Sequence, residues 1–225
     1  MELSAHHAQI VGWNSTAAYV ALAATAISCL SLITLHKISP EFSPSWRMVS
    51  EYANGKHGWV LTVVFLSWAL SSVALIAAVW PIHATSLGKI GLAFLIFGAI
   101  GQTMGGLFDI NHKLHGTAAM IGIPSIGIAS VLITMALNRT PNVSAPSMLI
   151  ANLPWISFAL MVGAFALFFS SLKAAGIDMS GQSTPLDALP TGVSSYVGWA
   201  NRLIFATSYL WTALASLSVV KVATT

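Results

Sequence analysis

The segment GGLFDINHKLHG at residues 105–116 carries the densest set of side chains that could do chemistry. It places Asp109, His112 and His115 at three-residue intervals, in the pattern D-x-x-H-x-x-H. Imidazole and carboxylate groups are ligands for zinc and several other divalent metals, so these three residues are candidate metal ligands. The more specific zinc patterns H-E-x-x-H and C-x-x-C do not occur in the sequence. The alternative is that the segment is an ordinary polar loop.

The same segment offers the residue types needed for hydrolysis. A histidine can act as general acid or base near neutral pH, and His115 opens an apolar run, which favours a position inside the protein. Asp109 could assist it, and Ser50 could serve as the nucleophile on a lipid or acyl substrate. The G-x-S-x-G motif of serine hydrolases is absent. Ser50, Asp109 and His115 are therefore catalytic candidates by residue type alone.

Two charged residues oppose the helix dipole at their positions. Asp109 follows the end of one apolar run, where the negative end of the dipole disfavours an anion. Arg202 lies in the first turns of the last run, where a cation is disfavoured. We therefore predict that Asp109 and Arg202 approach each other or share a ligand. The alternative is that Arg202 reaches lipid phosphates and that Asp109 faces water.

Glu51 precedes the second apolar run, where an acid agrees with the helix dipole. It could cap a helical turn together with Ser50, or belong to a polar cluster with Ser50 and Tyr52. Ionisable groups at span edges in an apolar chain are candidates for function. The predicted ligand-binding residues are Ser50, Glu51, Asp109, His115 and Arg202. They would hold an anionic lipid headgroup or a small polar solute.

The composition identifies the setting of these residues. Of the 225 residues 56% are hydrophobic and 7% are charged, whereas a soluble domain has about 25% charged residues. The chain is therefore predicted to be an integral membrane protein. No basic stripe with interleaved aromatic residues indicates nucleic-acid binding. The single cysteine, Cys29, excludes a disulfide within the chain.

Six apolar runs are long enough to cross a bilayer, which takes roughly 20 residues. They predict one all-α domain over residues 1–225, a polytopic six-transmembrane-helix bundle. The predicted spans are 14–36, 58–80, 87–108, 116–137, 149–173 and 197–220.

Six crossings place both termini on one face of the membrane, which we name side A. The opposite face, side B, holds the connectors after the first, third and fifth spans. Six of the nine Lys and Arg residues fall on side B, so the positive-inside rule favours a cytoplasmic side B. Five of the six acids also fall there. The chemistry of the protein is therefore expected at side B.

Gly101 and Gly105 form a small-xxx-small pair in the third span. Such faces allow close approach of two membrane helices. The pair predicts either tight packing within the bundle or a face for a homo-oligomer.

Several short motifs, in order along the chain, resemble one family. Ser50-Glu51-Tyr52 precedes Gly58-Trp59, and Gly105 to Phe108 precede Asp109. Leu114-His115-Gly116 leads into the fourth span, and Asn201-Arg202 lies early in the last. Over nearly its whole length the chain resembles the bacterial and archaeal membrane proteins called domain of unknown function 998. The resemblance implies a six-span fold in a prokaryotic cell membrane, polar positions at Ser50, Glu51, Asp109, His115 and Arg202, and no assigned activity.

A looser likeness connects the chain with the ceramidase and progestin-receptor-like membrane hydrolases, which combine a Ser, an Asp and three His around zinc. The H-x-x-x-H of their last span is absent, and Arg202 and Tyr209 stand there instead. Three functions therefore remain open from the sequence. The leading one is a binding protein or small transporter, followed by a membrane hydrolase with or without a metal, and by a structural or partner-binding subunit.

Overall fold

The structure of the chain, a computed structural model, describes residues 14–177, 186 and 188–224. Throughout these residues the regular structure is helical. The six long helices are α1 (Ser15–Ile38), α2 (Gly58–Ala78), α3 (Ser86–Leu107), α4 (His115–Asn138), α5 (Met148–Ala174) and α6 (Val197–Thr224). Short 3₁₀ helices cover Val49–Asn54 and Trp80–Ala84 in the connectors. All six long helices are long and apolar enough to cross a membrane. The predicted six-helix transmembrane bundle is confirmed.

The helices that begin on side A start with a capping side chain. Asn14, Thr85 and Ser147 accept hydrogen bonds from the backbone N–H groups of Ala17, Gly88 and Ile150, respectively. Each bond satisfies one of the amide groups that an α-helix leaves unpaired at its start. On side B, the residues that precede α2 and α4, His57 and Leu114, make no such side-chain bond.

Glycines bring α3 and α4 into backbone contact. A Cβ atom on Gly101 would meet the backbone of Gly122 and lie 2.8 Å from the carbonyl oxygen of Ala118. A Cβ on Gly105 would lie 3.1 Å from the ring of Phe65 in α2. Both glycines are buried within the chain. Of the two alternatives for this pair, the structure therefore has packing within the bundle.

Hydroxyl groups join the helices in the apolar interior. Ser28 of α1 donates to the carbonyl oxygen of Val64 (2.7 Å) and therefore accepts from the hydroxyl of Tyr209 (2.7 Å). Ser130 of α4 donates to the carbonyl oxygen of Ala151 in α5 (2.7 Å). Polar contacts of this kind supply specificity between membrane helices, because lipid tails are as apolar as the helix surfaces.

Helix α5 is the least buried span. Only 17% of its apolar segment is buried, compared with 61% for α6. Its contacts with α4 at Ser130 and at Trp155, which lies against Gly127, belong to the half nearer side A. In the half nearer side B, a Cβ on Gly163 would meet no atom within 4 Å. At Gly163 the surface of α5 is therefore open.

Candidate functional site

Arg202 lies in the second turn of α6 and is 8% exposed. Its Nη1 donates to the carbonyl oxygens of Arg47 (2.6 Å), Gly198 (3.0 Å) and Pro44 (3.3 Å). Its Nη2 donates to the hydroxyl of Tyr52 (3.1 Å). Its Nε donates to Nε2 of His36 (2.6 Å). The guanidinium thus ties the first connector, residues 39–57, to α1 and α6; we name this set of bonds the Arg202 network.

The bond to Arg202 defines the state of His36. Since a guanidinium N–H only donates, Nε2 of His36 must be an acceptor without a proton. The other ring nitrogen, Nδ1, lies 2.6 Å from the carbonyl oxygen of Leu32, which only accepts, so Nδ1 carries the hydrogen. His36 is therefore a neutral imidazole in this structure, and it partners a cation without adding a charge.

Glu51 is 6% exposed and forms an ion pair with Arg47, with 2.6 Å between Oε2 and Nη1. Its Oε1 accepts from the backbone N–H of Met48 (2.7 Å), at the start of the 3₁₀ helix Val49–Asn54. Glu51 thus caps that helical turn. A capping role was one of the two alternatives that the sequence offered for this residue. Both oxygens of this carboxylate are therefore bonded to residues of the first connector.

Asp109 is exposed and lies apart from Arg202. Its Oδ1 accepts from the backbone N–H of Asn111 (2.9 Å), and the Asn111 amide donates to Asn54 (2.8 Å). Among the described residues, the recorded partners of Arg202 do not include Asp109. The predicted direct pairing of Asp109 with Arg202 is not formed among the described residues, and a ligand shared by the two residues stays a prediction. Backbone carbonyls and a neutral histidine, rather than a distant carboxylate, satisfy the arginine.

The D-x-x-H-x-x-H segment does not form a metal centre. His112 stacks on Phe108 (ring centroids 4.4 Å apart), and its Nδ1 accepts from the backbone N–H of Leu114 (3.2 Å). Nδ1 of His115 is bonded to the carbonyl oxygen of Phe108 (2.9 Å). In the part of the chain that the structure describes, no group of three His, Cys, Asp or Glu side chains could hold a metal ion. The candidate ligands Asp109, His112 and His115 make local turn contacts instead.

A cavity of about 400 Å³ lies in the half of the bundle nearer side B. It falls within the range of roughly 300–1,000 Å³ that is typical of sites for small organic molecules. Its walls are mainly apolar and come from α2 to α6 and the first connector. Residues that form the walls include Phe65, Met120, Ile123, Phe158, Met161, Phe165, Ile204 and Phe205.

Exposed residues of α4 line the cavity, which indicates that it reaches the outer surface of the bundle beside this helix. Met120, in the second turn of α4, lines the cavity and is 71% exposed. Gly116 also lines it and is exposed. Phe165 forms the facing wall on α5. Because these residues belong to membrane-spanning helices, the opening faces the surrounding lipid rather than only the aqueous face.

Four polar side chains line the cavity, and two of them already have partners. The amide of Gln102, oriented so that its oxygen accepts from Nε1 of Trp68 (3.1 Å), also donates to Ser72 (2.8 Å). Asn201 accepts from the backbone N–H of Val49 (2.9 Å) through its Oδ1. The polar atoms of Gln102 and Asn201 that form these bonds therefore do not need a ligand as a partner.

The other two polar side chains, Ser50 and His115, keep free hydrogen-bonding capacity. The bond to the Phe108 carbonyl places a hydrogen on Nδ1 of His115, so in the neutral form of the ring Nε2 is an acceptor. Within the described residues, neither this Nε2 nor Oγ of Ser50 has a hydrogen-bond partner. Both residues line the side B end of the cavity. They are the free polar groups that this cavity offers to a ligand.

Of the five predicted ligand-binding residues, the structure therefore brings Ser50 and His115 to one cavity. Glu51 and Arg202 hold the connector beside it, and Asp109 lies at a separate pocket of about 160 Å³ with Thr62. The sequence did not lead us to assign His36, Gln102 or Asn201 to the site, although Asn201 belongs to one of the family motifs. A polar residue in mid-span, Gln102, is a signal that the sequence does carry, because such side chains rarely occur in lipid without a partner.

The fold and the cavity define a class: an integral membrane protein of six helices, with a lateral apolar cavity in one half of the bundle. The chain belongs to the family described as "Protein of unknown function (DUF998)", which it matches over residues 22–218. No curated protein and no solved structure matches it.

Proposed function

We propose that the protein binds one amphipathic lipid molecule taken laterally from the membrane. The apolar chain of this lipid would occupy the cavity, and its polar end would contact Ser50 and His115. The observation that carries the proposal is the lining of the cavity, which is apolar along its walls, polar at its side B end and exposed to the lipid at Met120 of α4. A lipid lying in the bilayer has the same distribution of polarity along its length.

Transfer of a chain from bilayer to cavity gains little hydrophobic free energy, because lipid tails are as apolar as the cavity wall. Selectivity must come from packing and from polar contacts. A hydrogen-bonding group without a partner costs roughly 1–3 kcal/mol where water is excluded. A lipid whose polar end pairs with Ser50 and His115 would gain hydrogen bonds that an apolar tail cannot make, which supports a specific ligand over any bulk lipid.

An anionic headgroup held by Arg202 and Glu51 has less support. Arg202 donates to five acceptors within the protein, and the negative charge of Glu51 is paired with Arg47. Recruitment of Arg202 by a ligand would break bonds that hold the first connector. We therefore assign Arg202 and Glu51 a positioning role for the cavity wall at Met48 and Ser50.

Hydrolysis of an acyl substrate is the second candidate. It is favoured by one observation, that a serine hydroxyl and a histidine with a free Nε2 line the same lipid-sized cavity. Two features favour binding instead. Ser50 and His115 are not hydrogen-bonded to each other, and Phe108 rather than Asp109 orients the imidazole. Release of a fatty acid from an ester lipid by the purified protein, abolished by Ser50→Ala, would establish the hydrolase.

Photo-crosslinking tests the binding proposal. The protein in lipid nanodiscs is irradiated with a single-chain lipid that carries a diazirine near the middle of its chain, and the labelled peptides are mapped. We expect saturable labelling near Met120 and Phe165, which unlabelled lipid suppresses by competition. Leu167, which is 66% exposed on α5, is the control for contact with bulk lipid. Labelling that is equal and non-saturable at all three positions would refute the proposal.

A further inference from the structure

We infer that the polar end of the bound lipid is an uncharged hydroxyl group, as in a long-chain alcohol or an acylglycerol. This inference rests on the proposed function and narrows its ligand class. It follows from the two polar groups without a partner at the side B end of the cavity. There a ligand must donate to one acceptor and form a hydrogen bond with one hydroxyl group.

The acceptor is Nε2 of His115. A backbone carbonyl can only accept, so the bond between Nδ1 and the Phe108 oxygen (2.9 Å) places a hydrogen on Nδ1. In the neutral ring Nε2 then has a lone pair and no hydrogen. A ligand that satisfies this nitrogen must donate a hydrogen bond. An alcohol does so, whereas an ether, a carbonyl or a carboxylate offers only acceptors.

The second group is the hydroxyl of Ser50, which can donate or accept. A ligand hydroxyl that donates to His115 still has lone pairs on its oxygen, so the same group can accept from Ser50. One hydroxyl therefore matches the hydrogen-bonding roles of both side chains. A single polar atom is also all that the cavity requires, since its other polar side chains, Gln102 and Asn201, already have partners within the protein.

Charge balance excludes the ionic headgroups. Among the described residues that line the cavity there is no Lys, Arg, Asp or Glu. A carboxylate or ammonium group would lose water without gaining a counter-charge, at a cost well above that for a neutral hydroxyl. Arg202 does not supply that charge, because its donors are occupied by the first connector, Gly198 and His36.

The test is a competition series in nanodiscs against a diazirine-bearing long-chain alcohol, at mildly alkaline pH. The competitors share one chain and differ only in the polar end: primary alcohol, methyl ether, carboxylate and amine. We expect the alcohol to compete about tenfold better than the methyl ether, the effect of one hydrogen bond to an otherwise unpaired group. The carboxylate and the amine are expected to compete no better than the ether.

Two variants locate the effect. In His115→Phe the alcohol and the methyl ether should compete equally, because the acceptor is gone, and Ser50→Ala should reduce the difference. Asp109→Asn, outside the cavity, should leave the series unchanged. If His115→Phe does not fold, the wild-type series alone decides.

A carboxylate, an amine or an ether that competes as well as the alcohol would overturn the inference while leaving lipid binding intact. No saturable labelling by the alcohol probe, together with none by the single-chain lipid probe, would overturn the proposed function itself.

Discussion

Arg202 donates its Nε–H to Nε2 of His36 across 2.6 Å, so the last span and the first span meet through a cation and a neutral imidazole. The neighbouring residue Asn201 accepts from the backbone of Val49. Adjacent residues of α6 thus hold the connector that carries Ser50 into the cavity wall. The Arg202 network is therefore the part of the fold that positions one of the two free polar groups.

Arg202→Gln should lower the stability of the protein markedly. The substitution leaves the carbonyl oxygens of Pro44, Arg47 and Gly198 without their donor, which costs on the order of 2–4 kcal/mol. For a chain of this size that is about 10 °C in Tm. Cys29, the only cysteine and a half-buried one, allows the measurement with a thiol-reactive dye during heating.

The control for this variant is Arg139→Gln, at an exposed arginine on side A, which should change Tm by no more than about 2 °C. Equal stability of Arg202→Gln and wild type would show that the arginine is not held by the network.

His36 should tolerate a replacement that keeps an acceptor better than one that removes it. His36→Gln retains an oxygen able to accept from Arg202, while His36→Leu leaves a buried guanidinium N–H without a partner, a cost of roughly 1–3 kcal/mol. The same heating assay compares the two variants. If the leucine variant is as stable as the glutamine variant, the bond to Arg202 contributes nothing to the fold.

Glu51 forms an ion pair with Arg47 and caps a helical turn, and two substitutions distinguish these roles. Glu51→Gln loses the ion pair with Arg47 but keeps an oxygen for the backbone N–H of Met48. Glu51→Ala loses both, and we expect it to be less stable than the glutamine variant by about 1 kcal/mol. Glu41→Gln, at an exposed acid of the same connector, is the matched control and should resemble wild type. The reverse order of the two Glu51 variants in Tm would contradict the capping role.

Gly101→Ala should separate α3 from α4. The added methyl group would collide with the backbone of Gly122 and with the Ala118 carbonyl, neither of which can move without displacing a helix. Gly163→Ala is the matched control, because nothing lies within 4 Å of a Cβ there. We expect a loss of several degrees in Tm for the first variant and none for the second, with the oligomeric state unchanged. A stable Gly101→Ala protein that altered only its oligomeric state would instead place this glycine at an interface between copies.

The spans were predictable because crossing a bilayer imposes a length and an apolar composition that the sequence displays directly. Ends could be placed to within a few residues, since polar residues interrupt the apolar composition at each boundary. The tight contact of α3 with α4 was one of two alternatives for Gly101 and Gly105. The sequence did not decide between them, because a small-residue face looks the same whether its partner lies in the same chain or in another.

The partners of the charged residues were not predictable in the same way. The helix dipole predicts that Arg202 needs compensation, and Asp109 was the partner inferred because a sequence does not show where backbone carbonyl oxygens will lie. Carbonyl oxygens of the first connector provide the compensation, and their position depends on the folded path of that connector. His115 and Ser50 were identified by residue type. That they line a different pocket from Asp109 depends on the folded path of the turn after α3, which the sequence does not show.

The central claim, that one lipid occupies the cavity, is tested most directly by native mass spectrometry of the protein released from nanodiscs. Wild type should retain one lipid per chain. Ala119→Phe, which fills the cavity from α4, should lose it, whereas Ala159→Phe, on the exposed face of α5, should retain it at equal thermal stability. Loss of the lipid in the first variant alone is the predicted result. Two results would contradict the account: both variants retain the same lipid, or no lipid is retained by either variant or by wild type.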